Sequence, residues 1–436
     1  LRINSTEAED FSNWVLLRGL NTFEGQILVE SGHLRLESFI SSAGARGVGN
    51  ETIVTGTGRV DLRGLNFADA NDETEIFMVE GIGANGLGAL VNTTGTGQLG
   101  HLILTGDAMA GGQGISILAR RRNSANNADI APILDFGGNS LSKLGISELR
   151  IHNADLQNTA GAVMNIHEGI VKFENRGALD GGGLIGGTEY GNQIDGMTFN
   201  VNYVPGAYDG INAANGSRTS DPFGPNRLAS DTLGYATVAA RLAFRTDWTS
   251  ATHALNTKVV NTWDNVTINL NNGVLVREGN TEAGRTFDQT FGAGTRINLV
   301  GGSTGQNLIT LSGGSSGHNA TLSTYDHPGV TEVQGQIVNE GLGLSGEGFT
   351  VRGNRELRLS GDNAAFNGEV LVKQNTGRWM APNYNNTAGA HESQFFNISL
   401  AGADGHLNQA ESIQITRWGS LALLNSDIEG SNIRGG

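Results

Sequence analysis

Three observations predict an all-β fold. Glycine makes up 66 of the 436 residues and proline only 6, so tight corners are frequent while proline-rich linkers are not. Short Val/Ile/Leu runs recur about every 7–12 residues, each closed by Ser, Gly or Asn. One phrase occurs near both ends: Leu17-Arg18-Gly19-Leu20-Asn21-Thr22-Phe23-Glu24-Gly25 before Gln26-Ile27-Leu28-Val29, and Leu359-Ser360-Gly361-Asp362-Asn363 with Phe366 and Gly368 before Val370-Leu371-Val372. The skeleton Gly19/Gly361, Asn21/Asn363, Phe23/Phe366, Gly25/Gly368 survives with one inserted residue. Recurring strand-and-corner grammar of this kind predicts a β-solenoid.

The grammar is most regular from Asn13 to about Arg120. Gln26-Ile27-Leu28-Val29, His33-Leu34-Arg35-Leu36, Ile76-Phe77-Met78-Val79 and His101-Leu102-Ile103-Leu104 alternate or cluster apolar residues before each turn. Three such runs per turn predict rungs of about 20–27 residues, stacked in parallel at about 4.8 Å per rung. About twenty rungs would form a rod roughly 100 Å long. The pattern continues through Leu149-Arg150-Ile151-His152, Val163-Met164-Asn165-Ile166 and Ile170-Val171-Lys172-Phe173.

Between about Asp180 and Trp248 the pattern breaks. That stretch holds Pro205, Pro222 and Pro225, most of the tyrosines, and the one helix-like run, Tyr235 to Phe244. Strand grammar resumes at Val266-Thr267-Ile268-Asn269-Leu270 and runs to Leu421-Ala422-Leu423-Leu424. The expected organisation is a solenoid over 1–179, a lateral excursion over 180–248, and a solenoid over 249–436. Starting at Leu1 and stopping within the pattern at Gly436, the chain reads as a mature or partial segment of a longer polypeptide.

Charge and composition narrow the function. A formal net charge of −15 argues against binding nucleic acid, which needs clustered cations to neutralise phosphates. The Arg120-Arg121-Arg122 cluster reads as a solvated turn. The absence of cysteine excludes disulfides, thiolate metal sites and thiol catalysis, and it fits bacterial proteins exported unfolded. No stretch approaches the eighteen or so apolar residues that a membrane helix needs.

The twin phrase resembles the autotransporter-associated β-strand repeat, also called the passenger-associated transport repeat. Leu357-Arg358-Leu359-Ser360-Gly361-Asp362-Asn363 with Phe366, Gly368, Val370 and Val372 is similar to its pattern, and the first copy adds the trailing Gly32-His33-Leu34-Arg35-Leu36. Gly88-Ala89-Leu90-Val91-Asn92-Thr93-Thr94-Gly95 and Leu134-Asp135-Phe136-Gly137-Gly138-Asn139 resemble further elements of such surface proteins. The resemblance implies an exported parallel β-helix at the bacterial cell surface or outside the cell. Residues 180–248 have no counterpart in it, and nothing resembles a C-terminal membrane barrel.

Glycoside hydrolysis needs two carboxylates about 5–10 Å apart; Asp180, Asp195, Asp209, Asp264 and Asp288 are the candidates, against a reading as turn carboxylates and corner caps. His33, His101, His318 and His406 follow glycine, but far apart, and read as exposed strand or corner positions. The acidic turn Asp69-Ala70-Asn71-Asp72-Glu73 could take calcium, although it matches neither an EF-hand nor a nonapeptide repeat; no other cofactor is expected. Trp248, Trp263, Trp379, Tyr384 and Trp418 are candidate sugar or partner contacts, because aromatic faces stack on sugars; packing is the competing role. The expectation is a structural or adhesive right-handed β-helix with other copies or surface polysaccharide as partners. A polysaccharide-degrading β-helix enzyme or tailspike, and a calcium-dependent carbohydrate-binding module, are the alternatives.

Overall fold

The computed structural model describes residues 1–5, 14–37, 43–68, 74–118, 121–122, 129–145, 147–152, 154–176, 194–202, 240–247, 258–271, 273–279, 286–301, 308–311, 330–339, 348–353, 356–373, 398–401, 407, 409–415, 421–424 and 433–435. Among them the chain is all-β, and its helical element is one 3-10 turn, Ala84–Gly86. Strands gather into a 15-stranded sheet, an 11-stranded second sheet, a 6-stranded third sheet and a 2-stranded pair. The pair, Arg121–Arg122 with Asp129–Ile130, is antiparallel, so two of the three clustered arginines belong to a hairpin rather than a simple turn. Pairing within the three large sheets is parallel, as in Ile27 with Thr52 and Ser140 with Val163.

From Thr267 to Leu359 the described strands visit the three sheets in cyclic order. Thr267–Asn271 lies in the long sheet, Val274–Gly279 in the second and Thr286–Phe291 in the third, before Arg296–Gly301 returns beside Thr267–Asn271. This topology fits a β-solenoid: a parallel partner is reached only after a full circuit. The circuit is 25 residues where Gly25 meets Asn50, 35 from Asn165 to Asn200, 69 from Asn200 to Asn269 and 29 from Asn269 to Asn298. Among the described residues the 11-stranded second sheet spans about 50 Å at the usual strand spacing, and the long sheet adds levels before it, from Arg2–Asn4 through Thr52–Asp61.

The interior consists of residues in register. Ile27, Thr52, Phe77, Leu102, Leu134 and Leu156 form one buried column, and Leu141, Met164, Phe199, Ile268, Ile297 and Ile337 another. Trp263, Phe291, Val333, Leu359 and Leu400 form the inner column of the third sheet. Each fully buried aliphatic or aromatic side chain contributes about 1.5–3 kcal/mol. Strand alternation aims these residues inward, and only stacking with the next level removes them from water.

In the N-terminal levels one long strand serves two sides. In Ile27–Leu36 and Thr52–Asp61 the register slips where Glu30 faces Thr55 and Gly56; two levels on, Glu80 faces Thr105, Gly106 and Asp107. Such bulges bend the strand, and the buried positions change parity across the first one, from Ile27 and Val29 to Leu34 and Leu36. Gly58 makes this bend feasible: a Cβ there would lie 2.1 Å from the carbonyl oxygen of Val29.

Two sequence expectations are corrected. Residues 180–248 are not wholly an excursion, because Thr198–Asn202 and Arg241–Asp247 continue the ladders beside Val163–Ile166 and Ile170–Arg176. The helix-like run ends in a strand: at Arg241 to Phe244 the long-range pairing of Leu242 with Val171 and Leu275 overrides local helix propensity. Of 180–248, residues 180–193, 203–239 and 248 lie outside the described residues.

The twin phrase marks two different places. In the second copy Asn363 is buried, its Oδ1 accepting Ile337 N–H at 2.8 Å and its Nδ2 donating to Gly361 O at 2.8 Å. Ile337 lies in Gln336–Asn339, last in the order of the long sheet, so the amide takes over a ladder bond there. Gly361 passes so close that a Cβ would sit 2.0 Å from Gly335 O, and Phe366 packs edge-on to Phe349 at 5.5 Å. Gly368 is buried beside them. In the first copy Gly19 and Gly25 hold positive φ, Asn21 is half-buried, Leu20 is 82% exposed, and Phe23 packs against the core under Gly44.

Candidate functional site: a sealed polar corner

Polar side chains concentrate where the long sheet turns into the second sheet. Ser140–Lys143 leads to Glu148–His152, Val163–Ile166 to Ile170–Arg176, and Thr198–Asn202 stacks next, with Arg241–Asp247 in the second sheet. Backbone bonds tie the corners: His167 N–H to Lys143 O at 3.1 Å, Ile170 N–H to Ser147 O at 3.1 Å, and Arg241 N–H to Gly169 O at 2.9 Å. Ser147 Oγ donates to Gly112 O at 3.0 Å, joining the level before.

Lys143 occupies an inward position between Ala110 and Ile166 and is buried. Its Nζ donates to Leu144 O at 2.7 Å and Gly145 O at 2.8 Å. Burial pushes its pKa down to about 7, against the pull of Glu168 and Glu148. Glu168 and Lys172 are also buried, Lys172 Nζ lies 3.4 Å from Glu148 Oε1, and Arg150 pairs with the same carboxylate. Burial lowers the His167 pKa, partly offset by a backbone hydrogen bond involving Asn202. Two carboxylates beside a lysine of near-neutral pKa have acid–base capacity. Lys143 is only 2% exposed, however, so no polymer substrate reaches Nζ in this state, and its bonds saturate the corner's own carbonyls.

A second polar array lies on the outer side of the long sheet. Asn165 Nδ2 donates to Ser142 Oγ at 3.3 Å, Asn200 Nδ2 to Asn165 Oδ1 at 2.8 Å, Asn269 Nδ2 to Asn200 Oδ1 at 2.7 Å, and Asn298 Nδ2 to Asn269 Oδ1 at 2.8 Å. Parallel in-register pairing stacks identical amides at bonding distance. Its trace in the sequence is the apolar-Asn-apolar triplet of Met164-Asn165-Ile166, Phe199-Asn200-Val201, Ile268-Asn269-Leu270 and Ile297-Asn298-Leu299, a signal that strand alternation alone does not distinguish.

Of the aromatic contact candidates, Trp263 is corrected. It is 1% exposed, tilted against Phe244 at 4.4 Å between ring centroids, with Phe173 at 6.5 Å, so neither face is open to a sugar. Trp248, Trp379, Tyr384 and Trp418 lie outside the described residues. So do Asp180, Asp209, His318, His406 and the acidic turn 69–73. Asp264 acts as a corner cap, its Oδ1 accepting Asn265 N–H at 2.9 Å and Gly294 N–H at 3.0 Å. Asp195 is exposed before Gly196, and Asp288 lies on a third-sheet strand beside Val260. The structure brings no two of these aspartates into contact among the described residues.

His33 is corrected as well: it is buried, not exposed, under the Trp14 ring at 4.8 Å. The segment Ile82 to Gly88 covers the same outer face, held by Arg59, whose guanidinium donates to Gly88 O at 3.1 Å and to Ala84 O. His101, half-exposed, opens the strand His101–Gly112. Among the described residues no group of three or more His, Asp or Glu is placed to hold a metal ion, and no helix is long and apolar enough to cross a membrane. No family model matches the chain, and no curated protein or solved structure matches it either.

Proposed function

We propose that this chain is a structural or adhesive segment of an exported bacterial surface protein, a right-handed β-helix working as a rigid spacer that associates with other copies. The observation that carries this reading is the continuous parallel ladder. The long sheet runs from Arg2–Asn4 to Gln336–Asn339, with apolar columns inside and buried charges directed at the scaffold's own carbonyls. A scaffold so bonded along one axis resists bending, and its corners are free to present loops. The resemblance of the twin phrase to the autotransporter-associated repeat supports the cell-surface placement.

Negative-stain electron microscopy of the purified chain, with sedimentation velocity across a hundredfold concentration range, tests the proposal. Rods that lengthen or bundle with concentration are expected. Monodisperse single particles at every concentration, together with depolymerisation of an acidic polysaccharide that Asp195→Asn abolishes, would replace it with the enzymatic alternative.

A further inference from the structure

Two glutamates precede neighbouring strands of the long sheet and behave oppositely. Glu51 enters Thr52–Asp61; its Oε2 accepts Gln26 Nε2–H at 2.8 Å and its Oε1 accepts Gly49 N–H at 2.7 Å, which hold its pKa below the usual carboxylate range. Glu75 enters Ile76–Gly81 and has no exposed surface. Its Oε1 accepts the Thr52 hydroxyl at 2.6 Å, while its Oε2 is buried without a hydrogen-bond partner among the described residues. Burial, reinforced by the neighbouring Glu51 charge, outweighs the Thr52 hydrogen bonds and Arg46, which favour the ionised form, and raises its pKa to about 7.

The same corner anchors the loop 43–50. Gly49 N–H is held by Glu51, Asn50 Oδ1 accepts Gly25 N–H at 2.6 Å, Asn50 Nδ2 donates to Arg46 O at 3.1 Å, and Ala45 N–H donates to Phe23 O at 3.0 Å. We propose that the Glu51/Glu75 corner is a proton-operated latch on this loop, closed while Glu75 carries a proton and released when Glu75 ionises. A protonated Glu75 keeps one neutral oxygen on Thr52 and leaves Glu51 the only anion of the pair. On losing its proton to solvent, Glu75 becomes a desolvated anion whose cost Thr52 and Arg46 of the loop offset only in part and Glu51 adds to, and the corner relieves this by admitting water around residues 43–50. The raised pKa means the closed state binds a proton more tightly than the open one. Closure is therefore favoured at low pH, weakens as pH rises from about 4.5, and levels off above about 7.

Hydrogen exchange read by mass spectrometry tests the latch in the full chain. Amide protection in 43–54, corrected for the intrinsic pH dependence of exchange, is compared between wild type and Glu75→Gln from pH 5 to 8. The glutamine keeps the Thr52 contact and cannot ionise. Wild-type protection is expected to fall by up to about tenfold per pH unit until it levels off near neutrality, as one linked proton requires, with the glutamine variant flat. Glu51→Gln removes the opposing charge, so its decline should level off at a lower pH. Parallel profiles for wild type and Glu75→Gln overturn the proposal. Should Glu75→Gln fail to fold, a wild-type profile without decline, or one that Glu51→Gln leaves in place, overturns it equally.

Discussion

The levels between Ile27 and Gly112 and those between Lys258 and Leu359 solve the same closure problem differently. In the first region the long sheet supplies two sides of each level by bending at bulges, and the bend consumes glycine: Gly58 lies against Val29 O, and Gly81, at φ +89°, has its Cβ position 2.4 Å from Gly56 O. In the second region a separate third sheet supplies the extra side. Where that sheet begins, the lumen is filled by aromatic rings: Phe173 stacks on Phe244 at 5.8 Å, Trp263 tilts against Phe244 at 4.4 Å, and Phe291 meets Phe244 edge-on at 5.5 Å. A sharp backbone bend and a wide aromatic filling are thus alternative ways to turn a parallel sheet around a dry interior.

Removing the central ring should have the largest effect. Phe244→Ala is expected to cost about 4 kcal/mol, because four aromatic neighbours would line the cavity. Hydrogen exchange should show lost protection in the third sheet and little change in Ile27–Leu36; uniform loss would show that both regions unfold as one unit.

Lys143→Met tests the junction between the regions. It leaves Leu144 O and Gly145 O without their donor and Glu168 without its cation, a loss of about 3 kcal/mol in urea denaturation. The wild type should also gain stability as pH rises from about 7 towards 10.5: the folded state, with its depressed lysine pKa, binds fewer protons there than the unfolded chain. Below about 7 both states are protonated and this contribution is constant. A slope that persists in the methionine variant would assign it to other groups.

Gly58→Ala should cost about 2 kcal/mol, since the added methyl meets a backbone oxygen rather than a flexible side chain. Its protection loss should centre on Ile27–Leu36 and Thr52–Asp61, the reverse of Phe244→Ala. Asn269→Ala should have the smallest effect, about 1 kcal/mol: it interrupts the amide ladder between Asn200 and Asn298, but Asn200 and Asn269 are half-exposed, so water replaces part of the lost bonding even though Asn298 is buried. A thermal shift as large as that of Phe244→Ala would mean that the ladder, not the aromatic filling, holds these levels together.

Much of the strand content was legible because its signal is local. Ile27-Leu28-Val29 and Thr267-Ile268-Asn269-Leu270 carry their alternation in consecutive residues, and glycine and asparagine mark the corners. The strand at Arg241–Asp247 was not legible. Ala239-Ala240-Arg241-Leu242-Ala243 favours a helix locally, and its β state is set by partners in Ile170–Arg176 and Val274–Gly279. The polar corner escaped for a similar reason. Lys143, Ser147 and Glu168 look like ordinary turn residues until stacking buries them over one another, and only the enclosing Phe244 and Phe173 decide between contact and packing for Trp263 in favour of packing.

By itself the sequence determined the all-β class, the parallel stacking and the short circuit of the first levels, since strand alternation and turn chemistry act over a few residues. Only the tertiary structure decided which loops lengthen the circuit, how many sheets share each level, and which charges lie in a dry interior. Those outcomes depend on residues 25 to 69 positions apart meeting across a ladder, and on the burial that follows.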